Sequence, residues 1–239
     1  MMQDEFEDDV CADTTSEFPT PFVPISKNLY VNREPLEMFS EDLDANVCHC
    51  LYVPGIKETA CGERADCLLR DLFVECDPRK CPCGKHCMNQ RLQRRQWSRS
   101  SIFRASNGRG WALRNDENLV PGQLVMEYIG EVVSTKEATR RMQEYSGKKH
   151  TYMLKLNNDE FIDSTRKANL ARFINHCCEP NTEMQKWTVG SVRRVGLFAK
   201  YDIPAGSELT FDYDMEFVGS ENVTCLCGAP KCRGTLGKP

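Results

Sequence analysis

The chain has 239 residues, enough for one sizeable core or one core with small satellite modules. No stretch approaches the run of about 18 apolar residues that a membrane span needs, and the acidic N-terminus is unlike a secretory signal, so a soluble, intracellular protein is expected. The formal net charge of -4 hides an asymmetry: residues 1 to 47 hold 12 acidic and 2 basic side chains, which leaves 29 basic against 23 acidic in residues 48 to 239.

Residues 1 to 24 are acidic, carry Pro19, Pro21 and Pro24 and show no sustained apolar period, so a flexible or loosely docked tail is expected, with Cys11 a free thiol. Residues 25 to 47 have scattered apolar side chains, among them Leu29, Tyr30 and Val31, and form an extension able to lie against the cysteine-rich module next to it. The first cysteine cluster then reads Cys48-x-Cys50-x10-Cys61-x5-Cys67-x8-Cys76-x4-Cys81-x-Cys83-x3-Cys87. Tight spacing in a chain without an export signal points to metal ligands rather than disulfides. Eight thiolates suffice for two separate four-cysteine zinc sites, and His49 and His86 are further, less needed candidates. A segment so poor in large apolar groups cannot build its own core, so metal binding would supply its folding energy, on the order of 10 kcal/mol per site.

Residues 85 to 109 carry Lys85, Arg91, Arg94, Arg95, Arg99, Arg104 and Arg109 with no acid among them, which makes either a solvated surface or a phosphate-contacting patch. Ile102-Phe103-Arg104 reads as a first strand, and Gly110 in Arg109-Gly110-Trp111 permits close approach of backbone to a ligand. Leu124 to Val133 reads as a strand pair interrupted at Gly130, and Ser134-x-x-Glu137 is a capping box for a helix over 135 to 145. Tyr152 to Leu156 and Phe161 to Asp163 form a hairpin, followed by strands over Val192 to Lys200 and Glu208 to Tyr213. Many short strands with one modest helix argue for a mostly β fold. After a linker at Asp214 to Thr224, Cys225-x-Cys227-x4-Cys232 supplies three thiolates and needs a fourth ligand from elsewhere.

Two segments are densest in reactive groups: Arg172-Phe173-Ile174-Asn175-His176-Cys177-Cys178-Glu179-Pro180-Asn181 and Glu208-Leu209-Thr210-Phe211-Asp212-Tyr213. Together they closely resemble the SET domain of protein lysine methyltransferases. The resemblance implies a SET fold of short β-sheets over residues 97 to 217. Its pseudo-knot threads the C-terminal strand through an earlier loop and brings the Asn-His segment beside the final tyrosine. Residues 48 to 96 resemble the AWS module, which implies two zinc ions, one on Cys48, Cys50, Cys61 and Cys67, the other on Cys61, Cys76, Cys81 and Cys87, with Cys83 left over. Residues 218 to 239 resemble the end of the linker and a post-SET module, whose zinc would take Cys178 besides Cys225, Cys227 and Cys232. Cys177 is left a packing role.

The same resemblance implies a chemistry. Methyl transfer from S-adenosylmethionine to an amine is an in-line displacement that needs alignment and a neutral amine. A free lysine has a pKa near 10.4, so presenting it neutral costs roughly 4 to 5 kcal/mol. Tyr213 is the implied catalytic residue and Tyr128 the support of the lysine channel. Arg109, Gly110, Trp111, His150, Tyr152, Asn175 and His176 match the cofactor pocket, although Ala112 stands where the family has a second glycine. The AWS, SET, post-SET order looks most like the nucleosome-directed histone H3 lysine-36 methyltransferases of the NSD and Ash1 type. It implies a histone H3 tail on a nucleosome as partner, nucleosomal DNA on the stretch from Arg91 to Arg109, a nuclear location, a monomeric piece of a longer chromatin protein, and a channel-blocking loop at Asp214 to Thr224. Two other readings stay open: a SET enzyme for a different histone or non-histone lysine, and a non-catalytic zinc-dependent nucleosome-binding module.

Overall fold

A computed structural model describes residues 21–31, 33–34, 47–56, 59–63, 65–105, 108–145, 152–213 and 223–236. In chain order these form β1 (Val23–Pro24), β2 (Leu29–Tyr30), a short helix α1 (Leu68–Asp71), β3 (Val74–Glu75), β4 (Ser100–Arg104), β5 (Trp111–Asn115), β6 (Leu124–Glu127) and β7 (Glu131–Ser134). Helix α2 (Thr135–Tyr145) comes next, then β8 (Met153–Lys155), β9 (Glu160–Asp163), β10 (Lys167–Ala168), β11 (Asn175–His176), β12 (Thr182–Val189), β13 (Val192–Ala199) and β14 (Thr210–Phe211). The architecture is mostly β, in several small sheets. No helix among the described residues is long and apolar enough to cross a membrane.

The longest pairing is the antiparallel hairpin β12–β13, extended by β6 on one side and β3 on the other. A second sheet has the order β2-β7-β9-β8. Val125, Tyr128, Ile162, Phe173, Ile174, Leu197 and Leu209 from both sheets and their connections share the main core with Leu113 of β5, which forms a separate two-stranded sheet with β4. Burying these side chains is the dominant stabilising term, at roughly 1.5 to 3 kcal/mol each.

The interruption expected at Gly130 does more than break a strand. β6 joins the β13 sheet and β7 the other, so the two do not pair with each other. The chain passes so close to β9 here that a Cβ on Gly130 would lie 2.5 Å from the Asp163 carbonyl oxygen. Only glycine permits that approach.

Helix α2 begins as its cap predicts, with the Ser134 hydroxyl accepting from the Glu137 N–H at 3.4 Å. Its inner face docks through charge rather than through apolar packing alone. Arg141 reaches Asp163 at 2.8 Å, Glu131 at 2.9 Å and Glu137 at 2.9 Å, and the Tyr145 hydroxyl donates to Asp163 at 3.0 Å.

The N-terminal residues that are described pack on the core. β1 pairs in parallel with β10, β2 in parallel with β7, and Phe22 meets Phe173 edge-on at 5.7 Å. The tail expected over residues 1 to 24 therefore docks from Pro21 onward; its earlier part lies outside the described residues.

The cysteine-rich segment has a core made of its own thiols, with Ala60 and Leu69 among them. It is seated on the main sheet by β3, which runs parallel to β12. The buried Glu75 carboxylate accepts from the Leu92 N–H at 2.7 Å and the Gln93 N–H at 3.0 Å, satisfying donors at the exit of the segment.

Candidate active site

The site is assembled by the parallel pairing of β11 with β14, in which Asn175 stands opposite Thr210 and His176 opposite Phe211. Asn181 holds this pairing from the side. Its amide nitrogen donates to the Glu208 carbonyl at 2.8 Å, and its oxygen accepts from the Thr210 N–H at 2.9 Å. Two strands whose paired residues are 35 apart in sequence thus become one surface.

Tyr213 lies at the end of that surface. Its hydroxyl donates to the Ile174 carbonyl at 2.9 Å and its N–H donates to His176 Nδ1 at 3.1 Å. Burial pushes its phenol well above the ordinary tyrosine range, so it stays neutral at physiological pH. Tyr128 is raised for the same reason and donates to the Tyr152 carbonyl at 3.3 Å. The guanidinium of the buried Arg172 covers the Tyr152 ring at 4.1 Å. His176 is lowered by burial and is therefore neutral, and because Nδ1 accepts from Tyr213 its proton belongs on Nε2, which faces Cys178 Sγ at 3.3 Å.

Asn175 donates to the Trp111 carbonyl at 3.2 Å and to Glu208 Oε1 at 3.3 Å, while Arg109 donates to Glu208 Oε2 at 2.7 Å. Arg109 and Asn175 thereby meet on one carboxylate, and Asn175 adds the Trp111 carbonyl to the group. Gly110 between them has a φ of +80°, the left-handed conformation that favours glycine, and the direction a Cβ would take is open space. Ala112 is fully buried within β5. His150 lies outside the described residues, as do residues 214–222 of the expected loop.

The thiols form three four-sulfur groups, each with its sulfurs within 4.8 Å of one another: Cys48, Cys50, Cys61 and Cys67; Cys48, Cys61, Cys76 and Cys81; and Cys178, Cys225, Cys227 and Cys232. Four thiolates on tetrahedral zinc at about 2.3 Å have edges of about 3.8 Å. The Cys61–Cys81 distance of 3.7 Å, Cys48–Cys81 of 3.9 Å and Cys178–Cys225 of 3.8 Å fit that figure. Burial pushes the Cys50 thiol up to about 12, so bare Cys50 resists the ionisation that a cation would favour. Cys87, expected in the second group, contacts Cys61, Cys76 and Cys81, and Cys48 closes the tighter set. Cys83 is buried against Cys61 at 3.7 Å. His49 and His86 belong to none of the groups, and His86 stacks on Tyr52 at 3.8 Å.

The basic stretch divides. Arg91 turns inward, over Trp187 at 4.9 Å and Phe198 at 4.6 Å, and donates to the Gly122 carbonyl, while Arg109 is held by Glu208. Both ends of the expected DNA-facing stretch are thus turned away from solvent. Lys85, Arg94, Arg95, Arg99 and Arg104 remain exposed.

Residues 110–214 match the SET domain model, and residues 57–95 match the AWS domain model. The chain carries a SET domain preceded by an AWS domain. The histone-lysine N-methyltransferase ASHH1 of Arabidopsis thaliana is 46% identical over 196 residues, 81% of this chain and 39% of that protein. The histone-lysine N-methyltransferase SETD2 of Mus musculus is 42% identical over 92% of this chain and 9% of its own length. An H3 lysine-36 specific histone-lysine N-methyltransferase of Cryptococcus neoformans is 38% identical over 90% of this chain and 26% of its own length. The chain thus spans well under half the length of these relatives.

Sequence reasoning singles out Asn175, His176 and Tyr213 within the SET domain but gives no role to Glu208 or Asp212 there, nor to Arg233 beyond it. Glu208 opens the Glu-Leu-Thr-Phe-Asp-Tyr motif, and a carboxylate there is a visible signal. Its partner Arg109, 99 residues away, is not.

Proposed function

We propose that the chain is an S-adenosylmethionine-dependent lysine methyltransferase that acts on nucleosomal histone H3 at lysine 36, in the nucleus. The observation that carries the reading is the β11·β14 pairing, which puts Asn175 and His176 beside Tyr213, with Arg109 joined through Glu208 and Trp111 through the Asn175 amide. The relatives named as H3 lysine-36 specific support the choice of lysine.

When bound, S-adenosylmethionine supplies a methyl group activated by a sulfonium. Arg109, Gly110, Trp111, His150, Tyr152, Asn175 and His176 would hold it, with open space at Gly110 where a ligand can approach the backbone. Tyr213 acts on the amine. Its own proton is committed to the Ile174 carbonyl, so its oxygen faces the incoming group as an acceptor and can orient an amine N–H. Tyr128 and Tyr152 wall the channel, and their buried surroundings disfavour an ammonium, which offsets part of the cost of a neutral lysine. Zinc on the three thiolate groups would supply structural cross-links to segments with little apolar core. Lys85, Arg94, Arg95, Arg99 and Arg104 are the cations left to meet DNA phosphates, and the loop at 214–224 is the candidate cover of the channel.

Calorimetric titration of S-adenosylmethionine and transfer of its labelled methyl to recombinant nucleosomes test this reading. Tyr213→Phe should bind cofactor normally and lose transfer on the order of 10²-fold. A wild-type chain that binds nucleosomes but no cofactor would instead favour the binding-module reading.

A further inference from the structure

Arg233 stands directly after the last cysteine of the C-terminal cluster, yet its guanidinium reaches the strand that ends in Tyr213. Nη1 and Nη2 donate to Asp212 Oδ2 and Oδ1, both at 2.7 Å, a bidentate fork. The backbone N–H of Arg233 donates the other way, to Cys178 Sγ at 3.4 Å. One residue therefore touches a thiol of the cluster and the carboxylate immediately before Tyr213.

The same two regions are joined a second time. His176 accepts the Tyr213 N–H on Nδ1 and presents Nε2 to Cys178 Sγ at 3.3 Å. The Lys231 N–H, one residue from Cys232, donates to Glu179, one residue from Cys178, at 3.2 Å. The result is a closed ring: Cys178 to His176, His176 to Tyr213, Tyr213 along the chain to Asp212, Asp212 to Arg233, and Arg233 back to Cys178. A lone ion pair at this degree of exposure contributes little to global stability. Its position in a ring gives it a different effect, since breaking it leaves the cluster and the tyrosine strand joined only through the His176 and Glu179 contacts and loosens both.

We propose that Arg233 is a positioning residue, whose fork on Asp212 ties the C-terminal cysteine cluster to His176 and Tyr213 so that the cluster and the methyl-transfer site order one another. Linkage then runs both ways. A loaded cluster favours the His176–Tyr213 arrangement, and whatever binds that arrangement slows loss of the cluster's metal. The cofactor arm of the test rests on the methyltransferase reading; the exchange arm does not.

The test uses the full chain in excess zinc, as wild type, Arg233→Ala, Arg233→Lys, and the reversed pair Asp212→Arg with Arg233→Asp. Hydrogen exchange at the Tyr213 amide reports the ring without cofactor, and titration of S-adenosylmethionine reports its effect on the site. Arg233→Ala should speed exchange and weaken cofactor binding, each about tenfold, equivalent to about 1.4 kcal/mol. Arg233→Lys should recover only part, because an ammonium cannot form the fork, and the reversed pair should recover more than either of its single changes. Wild-type exchange and affinity in Arg233→Ala would overturn the proposal. If Arg233→Ala sheds zinc, Arg233→Lys carries the comparison, and wild-type values there would overturn it equally. A wild-type chain that binds no cofactor, with Tyr213 exchange still accelerated in Arg233→Ala, would sink the methyltransferase reading and keep the ring.

Discussion

Asn175 shows how much of this site depends on one short side chain. Its amide spans from β11 to the Trp111 carbonyl and the Glu208 carboxylate, so one side chain ties β11 to β5 and to the segment that leads into β14. Asn175→Ala should weaken S-adenosylmethionine binding about tenfold while leaving the fold intact, a combination read by calorimetry beside a thermal melt. Gly130 makes the opposite kind of demand. Its missing Cβ leaves room for the Asp163 carbonyl, and backbone cannot yield as a side chain can, so Gly130→Ala should lower stability by about 1 to 3 kcal/mol in denaturant titration. At this scale the sequence is legible where residues stand in one motif. Asn175, His176 and Tyr213 announce themselves, whereas the roles of Glu208 and Arg233 exist only through partners folded onto them from far along the chain.

Helix α2 is readable because its cap and its docking residues are local. Its attachment is ionic, and Asp163 is fully buried. Arg141→Ala would strand the buried Asp163 without its cation, leave Glu131 only Lys167, and should cost about 3 kcal/mol, measured by chemical denaturation. Glu137 lends the attachment a pH dependence. Hydrogen bonds from Arg140 and Arg141 hold its carboxyl down at about 2, below the ordinary value of 4.5. A depressed folded-state pKa stabilises fully above the unfolded value, and that contribution fades as pH falls from about 4.5 toward 2. The difference in melting temperature between wild type and Glu137→Gln should therefore be present at pH 7 and shrink as the pH is lowered through that window. β12 is not legible as a strand, because its inner and outer faces are both partly covered and no clean alternation of period two survives. β1, β2 and β3 are two residues long and are defined by partners far along the chain, which no local pattern can announce.

Across the whole molecule, the AWS domain and the SET sheet meet at Trp187. This residue is buried between Phe73 at 5.3 Å and Phe198 at 5.9 Å, with the Arg91 guanidinium over its ring. Since the thiols are the cysteine module's own core, removing zinc by chelation should unfold that module and expose Trp187 to water. The expected signature is a red-shifted emission that is lost in Trp187→Phe, while hydrogen exchange in β13 stays slow. The mostly β class and the order of the two domains are legible from spacing and motif, and the seam between them is not, because it is built from Glu75, Arg91 and Trp187, which carry no motif. The proposed function of the molecule comes down to methyl transfer to one lysine. The most direct measurement is mass spectrometry of histone H3 after incubation of the chain with S-adenosylmethionine and recombinant nucleosomes, using wild-type H3 and H3 with lysine 36 replaced by arginine. Methylation confined to wild-type H3 and absent with Tyr213→Phe is the predicted result. Equal methylation of both histones, or undiminished transfer by Tyr213→Phe, would contradict it.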